Sequence, residues 1–261
     1  MENHTNKTYQ ERMNQTALSK FGAIQHLLNK NVKILDFGSG FSPDFIDQVN
    51  QTGAHYVAYD VSAIVQNQLN EHQIDFLTEE EELENAENEF DVIYLSSVFH
   101  ELMSYLSRPE RTRTFALLDK ALKQSGTMVI RDWGPGAQPQ DMTTLEVMSE
   151  GTNAEVETWA HALIKNSVIT APTLVTDNTG QITVPVLYQD TPQNLYEIIF
   201  HVVWGLNSLE RESRESYAID HHLIEKWICA PLDYEIIHQQ EEYDTSYLPH
   251  LQKYFNIDHL P

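Results

Sequence analysis

Apolar side chains follow two rhythms in the first half of the chain. Tyr9, Met13, Ala17, Phe21, Ile24 and Leu28 recur every three or four positions, which lays one apolar stripe along a helix. This spacing predicts an N-terminal helix over residues 8–28, packed on the main body. After it come short, nearly continuous apolar runs at Val32–Phe37, Tyr56–Tyr59, Ile74–Leu77, Asp91–Leu95 and Thr127–Ile130. Helical patterns at 43–52, 61–70 and 109–123 separate them. Apolar strands joined by helices make a parallel sheet covered on both faces, so the predicted fold is α/β with a doubly wound, mostly parallel sheet.

Beyond Trp133 the rhythm breaks at Gly134-Pro135-Gly136, and the next strand pattern is Tyr234–Gln239, too far on for a simple crossover. The intervening stretch predicts a helix over 154–165, a hairpin turning at Asp177-Asn178-Thr179-Gly180, and a helix opened by Thr191-Pro192. In that helix Leu195, Ile198, Ile199, Val202, Val203 and Leu206 face inward. A further helix after Asp220 buries Leu223, Ile224, Trp227 and Ile228. The expected organisation is an N-terminal helix (1–30), a ligand-binding core (31–133), a mainly helical cap inserted after the fifth strand (134–230), and a strand and helix completing the core (231–261).

Charge narrows the partners. Sixteen Lys and Arg against 39 Asp and Glu give a net charge of -23 over 261 residues, a field that repels phosphate backbones and anionic lipid. No nucleic-acid or membrane partner is expected. No apolar run approaches membrane-span length and Met1–Gln15 is polar, so the chain reads as cytoplasmic. The single cysteine, Cys229, excludes an internal disulfide and a cysteine-based zinc knuckle, and within an apolar helical pattern it is a poor nucleophile. Six glutamates in Glu79–Glu87 read as a solvated face.

The most informative segment is Ile34-Leu35-Asp36-Phe37-Gly38-Ser39-Gly40, a strand that runs into a glycine pair before a helix. Glycines let the backbone turn sharply and approach a ligand where a Cβ would collide. A second strand ends at Asp60, 20 positions after Gly40, the spacing at which such a sheet offers a carboxylate to a ribose diol. Pro43 occupies the place of the third glycine of a nicotinamide-dinucleotide fingerprint, and Asp36 would repel a pyrophosphate. A dinucleotide oxidoreductase is therefore the weaker reading.

These residues resemble the class I S-adenosylmethionine-dependent methyltransferases, over roughly residues 30–132. Ile34–Gly40 is similar to that family's first motif, Tyr59-Asp60-Val61-Ser62 to its second, and Phe90–Glu101 to its fourth-strand motif. Ser96–Leu102, Arg108–Arg113 and Val129–Trp133 also resemble a bacterial subset whose acceptors are unknown. The resemblance implies a Rossmann-like core binding S-adenosyl-L-methionine. It places Gly38, Ser39 and Gly40, with Asp36 before them, under the cofactor's methionine and ribose, Asp60 on the ribose hydroxyls, and Ser96 and Ser97 at the methionine end. The third motif departs from the pattern: Thr78-Glu79 follows the strand where an aspartate near the adenine is common, and Asp75 comes earlier.

A sulfonium cation suits an acidic protein, and methyl transfer mainly requires alignment. For a hydroxyl or ammonium acceptor, His100 at the end of the fourth strand is the candidate base, with Glu101 orienting its ring or acting in its place. His100-Glu101 lacks the second histidine of a zinc protease helix, since Ser104 stands there, and no metal is expected. Arg131 either clamps an acceptor carboxylate or pairs with Asp132. Trp204, Arg211 and Tyr217 mix aromatic and charged groups as an acceptor wall does, although a helix interface with Arg–Glu pairs gives the same mixture. His201, His221, His222, His238, His250 and His259 read as surface residues. With no Pro-Pro-aromatic signature after the fourth strand and no basic stripe, the expected function is methyl transfer to a small-molecule acceptor. A protein side chain as acceptor, and a non-catalytic cofactor-binding interaction protein, are the rival readings.

Overall fold

Four of the five residues of β1 (Lys33–Phe37) are buried in the computed structural model, as a strand covered by helices on both faces requires. The structure describes residues 16–78, 80–134, 142–148, 150–183, 185–219, 221–241 and 248–257. The chain divides into two compact units: Met1–Leu102 with Leu106–Asp132, and Met103–Tyr105 with Trp133–Pro261.

In the first unit β1, β2 (His55–Tyr59), β3 (Phe76–Leu77), β4 (Phe90–Ser96) and β5 (Leu122–Arg131) form one sheet in the order β3-β2-β1-β4-β5. All four pairings are parallel, so the α/β, mostly parallel architecture expected from the apolar runs is the observed one. The helices are α1 (Ala17–Ile24), α2 (Pro43–Gln51), α3 (Ala63–Glu71), α4 (Glu80–Asn85), α5 (Phe99–Tyr105) and α6 (Arg108–Ala121). Local chemistry explains two helix starts. Pro43 opens α2, and a capping box closes the N-terminus of α6, where Glu110 accepts the Ser107 N–H at 2.7 Å. The expected N-terminal helix is seen as α1 and a short 3-10 turn over Gln25–Leu27, and its residues 8–15 lie outside the described part. Ala17, Ile24 and Leu28 pack with Ile34, Phe45, Val49 and Tyr94 in the first unit's core.

Strand order decides where a ligand can bind. β1 is flanked by β2 on one side and β4 on the other, so connections leave toward opposite edges and a crevice opens beyond the carboxyl ends of β1 and β4. Phe37, Tyr59 and Ser96 end their strands at that edge.

The second unit adds a small antiparallel sheet to the helices expected there. Besides α7 (Glu150–Lys165) and α8 (Pro192–Val202) it contains an antiparallel sheet of β6 (Thr143–Val147), β7 (Thr173–Leu174) and β8 (Val186–Asp190), in the order β6-β8-β7. Trp159, Leu163, Leu195, Ile198, Ile199 and Val202 fill its core. The hairpin at Asp177 forms, with Gly180 at φ 83° donating its N–H to the Asp177 carbonyl at 3.0 Å. Leu206, expected inside, is 44% exposed, because α8 stops at Val202 and Gly205 at φ 71° turns the chain away. The expected strand over Tyr234–Gln239 does not form: these residues belong to the second unit and pair with no strand among the described residues. Ile236 and Ile237 are adjacent, so they cannot share one face of a strand, and both are exposed.

His201, expected at the surface, is fully buried. Its Nδ1 meets the Glu197 carbonyl at 2.5 Å and its Nε2 the Glu212 and Glu215 carbonyls at 2.9 and 3.1 Å, so the ring ties α8 to the turn after it. Burial lowers its pKa, and the Glu197 charge opposes that shift. His222, His238 and His250 are exposed as expected. His259 and the side chain of His221 lie outside the described residues. Among the described residues no helix is long and apolar enough to cross a membrane.

Candidate active site

The turn after β1 is tied to the end of β2. Gly38 at φ 73° and Ser39 both donate N–H to the Tyr59 carbonyl, at 2.8 and 3.2 Å. Gly40 at φ 57° donates its N–H to Asp60 Oδ2 at 2.9 Å, and Asp60 Oδ1 accepts the Ser62 N–H at 2.8 Å. One carboxylate thus braces the glycine turn and the start of α3. A Cβ on Gly38 would lie 2.5 Å from Val98 Cγ2, so the requirement for glycine is steric as well as conformational. The amide of Gln66 joins the Asp60 carbonyl at 2.8 Å to the Thr78 carbonyl at 3.2 Å, linking the ends of β2 and β3. Asp75 lies before β3 and pairs with His55 at 2.8 Å in an exposed position.

Asp36 is 3% exposed and accepts the Tyr56 hydroxyl at 2.7 Å. Burial raises its carboxyl from 3.8 to about 6; the Tyr56 hydrogen bond and the Lys20 charge oppose the rise, and Asp60 adds to it. Lys20, equally buried, is lowered from 10.5 to about 8 by burial, with Asp36 opposing and Arg131 reinforcing the fall. The unfolded chain therefore loses the Asp36 proton first, and this residue's contribution to stability falls as pH rises from 3.8 to about 6. Its size is about 3 kcal/mol at one pKa unit per 1.36 kcal/mol. Lys20 loses its proton first in the folded state, so its contribution rises from about pH 8 to 10.5. The urea-unfolding free energy of wild type minus that of Asp36→Asn should fall between pH 4 and 6 by that order; a pH-independent difference would show the carboxyl to be solvated.

At the end of β4, Ser96 is 6% exposed and its hydroxyl has no hydrogen-bond partner among the described residues. Ser97 takes a left-handed conformation at φ 57° and donates its N–H to the Arg131 carbonyl at 2.8 Å, which turns the chain into α5. His100 is 4% exposed. Its Nδ1 lies 2.7 Å from Asp132 Oδ1, and its backbone N–H donates to Asp132 Oδ2 at 2.9 Å. Asp132 therefore holds the ring and the start of α5 together, while Glu101 is exposed. Arg131 Nη2 donates to Ser19 Oγ on α1 at 2.9 Å.

A family described as "Methyltransferase domain" matches residues 7–175, about two thirds of the chain. The chain belongs to this family. The chain is 31% identical over 116 residues to the phosphoethanolamine N-methyltransferase of Plasmodium falciparum, a match covering 41% of each chain. The chain thus spans under half the length of that curated relative. Among solved structures, a TehB-like SAM-dependent methyltransferase from Corynebacterium glutamicum is 16% identical, with 70% of this chain and 95% of the other covered and a TM-score of 0.38. A SAM-dependent methyltransferase from Thiobacillus denitrificans, solved in complex with S-adenosyl-L-homocysteine, is 14% identical, with 55% and 54% covered and a TM-score of 0.34.

The methyltransferase's own residues fit the cofactor. A buried Ser96 hydroxyl without a hydrogen-bond partner among the described residues and carboxylates at Asp36 and Asp60 lie toward the carboxyl ends of β4, β1 and β2. The expected acceptor residues Trp204, Arg211 and Tyr217 lie in the second unit. There Tyr217 is 3% exposed, its hydroxyl bonds Glu212 and Glu215, and its ring stacks on Trp204 with centroids 6.4 Å apart. Arg211 pairs with its sequence neighbour Glu212. Sequence reasoning missed Asp132 as the partner of His100, and it missed Lys20 and Glu197. A lysine on the apolar stripe of α1, between Ala17 and Ile24, was a usable signal.

Proposed function

We propose that this methyltransferase transfers the methyl group to a small-molecule acceptor, with His100 as general base and Asp132 holding it. The observation that carries the reading is the buried His100–Asp132 pair at the ends of β4 and β5, beside the glycine turn's edge of the sheet. With Nδ1–H donating its hydrogen bond to Asp132, a lone pair on Nε2 is the one that can accept a proton. The cofactor, when bound, supplies an activated methyl on a sulfonium. Around it, Gly38, Ser39 and Gly40 bring the backbone close, Asp36 and Asp60 provide negative charge, and Ser96 and Ser97 border the amino-acid end. A relative named for methylating phosphoethanolamine supports a small acceptor that loses a proton on methylation.

The test begins with calorimetric titration of S-adenosylhomocysteine into the full chain, followed by a search for methyl acceptors in metabolite extracts. Asp60→Ala should weaken binding about 30-fold, since it removes a charged acceptor and the brace on Gly40. Unchanged affinity in that variant would remove Asp60 from the site. Methylation confined to protein fractions of the extract would shift the acceptor to a side chain.

A further inference from the structure

We infer that the second unit holds a site for a small primary ammonium ion with a short apolar body, set between α7 and the β7–β8 hairpin. The inference is independent of the methyl-transfer reading, and none of the residues it uses belongs to the cofactor edge.

A cavity of about 210 Å³ lies there. It is smaller than a drug-sized site and equals roughly seven waters at about 30 Å³ each, so its guest has on the order of ten non-hydrogen atoms. One stripe of α7 makes one wall. Asn153, Glu157, His161 and Ile164 recur every three or four positions and line the cavity, whereas Val156, Trp159 and Leu163 of the same helix fill the unit's core. Pro172, Leu174, Ile182 and Val186 line it from the hairpin side. Leu174 is 38% and Ile182 50% exposed, apolar surface that an apolar guest would cover.

The oxygens in this lining want donors. Tyr188, on β8, is 5% exposed, and its hydroxyl meets no hydrogen-bond partner among the described residues. Burial and the Glu157 charge raise its pKa, so it stays a neutral phenol whose oxygen can accept. Glu157 pairs with no Lys or Arg among the described residues. Asn153 Oδ1 is buried and also unpartnered; the terminal torsion of asparagine is soft, so a donor in the cavity can draw this oxygen onto itself.

Three acceptors define the guest. A primary ammonium has three N–H donors, one for each oxygen, and the Glu157 carboxylate supplies the opposite charge, while the apolar walls take the carbon body. An anion would face that carboxylate, with His161 as the one lining residue able to carry positive charge.

The full chain is titrated with three probes of one shape: 2-phenylethylamine, 2-phenylethanol, which lacks the charge, and N,N,N-trimethyl-2-phenylethylammonium, which lacks the N–H donors. The primary amine should bind saturably and about tenfold tighter than either of the others. Glu157→Gln should cut its advantage over the alcohol to about threefold, and Tyr188→Phe should weaken the amine about threefold. Ala171→Trp, at the cavity's rim, should remove binding of all three. Glu157 and Ala171 are exposed, so these two variants leave the core intact. No saturable binding of the amine up to about 10 mM overturns the inference. Equal affinity for the amine and the trimethyl ion also overturns it, since that would mark attraction to an acidic protein without a built site. So does amine binding that survives both Glu157→Gln and Ala171→Trp unchanged, which would place the amine elsewhere on the chain.

Discussion

Replacing His100 by alanine is expected to lower kcat about 10²–10⁴-fold, the usual range for loss of a positioned general base, while S-adenosylhomocysteine binds within about twofold of wild type. The separation follows from position. His100 is in α5 behind Ser97, and its bonds run to Asp132, whereas the glycine turn is braced by Asp60 and Tyr59. Asp132→Asn should act on the same step by a different route. An amide nitrogen facing Nδ1 would donate to it, moving the ring proton to Nε2 and leaving no lone pair for the acceptor's proton. Both variants should therefore lose kcat at saturating acceptor rather than raise KM. A kcat in His100→Ala equal to wild type would mean that transfer proceeds by alignment alone, with the acceptor's proton leaving to water.

The parts of this architecture that were legible in sequence are those where one physical requirement acts on neighbouring residues. A parallel strand must be apolar on both faces, so β1, β2, β4 and β5 announced themselves as short runs, and Gly38, Gly40 and Asp60 marked the turn they build. What escaped depends on long-range pairing. Asp132 was weighed against its neighbour Arg131, yet the β4–β5 register brings it to His100, 32 positions earlier. β6 pairs with β8 from residues some forty positions on, and its Thr143-Thr144-Leu145-Glu146-Val147 carries too little alternation to stand out. Lys20, Glu197 and His201 are polar residues on inward helix faces. Such a face accepts them only when partners satisfy their bonding groups, and those partners come from other elements.

Glu197 carries the second large effect: truncation to alanine should destabilise the second unit by about 3–5 kcal/mol, as loss of one partner from a buried charged network does. Its carboxylate is 2% exposed on α8 and accepts the backbone N–H of Tyr217 at 2.9 Å, that of Ala218 at 3.0 Å, and the Ser216 hydroxyl at 2.5 Å. Alanine would leave these three donors in the interior without an acceptor, each at a cost of about 1–3 kcal/mol less whatever water can recover. Glu197→Gln keeps one oxygen but turns an NH₂ toward a backbone N–H, so its loss should be intermediate. Urea unfolding followed by the fluorescence of Trp159 and Trp204, which belong to this unit's core, should show the midpoint move down by about 1–2 M. A shift within about 0.3 M would mean that the turn over Ser216–Ala218 is held without the carboxylate. The same variant reports on Tyr217, whose ring lies 4.6 Å from that of His201. Once the three donors are released, the hydrogen bonds left between α8 and the turn among those described are those of the His201 ring, and the near-ultraviolet signal of these packed aromatics should weaken before the far-ultraviolet helix signal does.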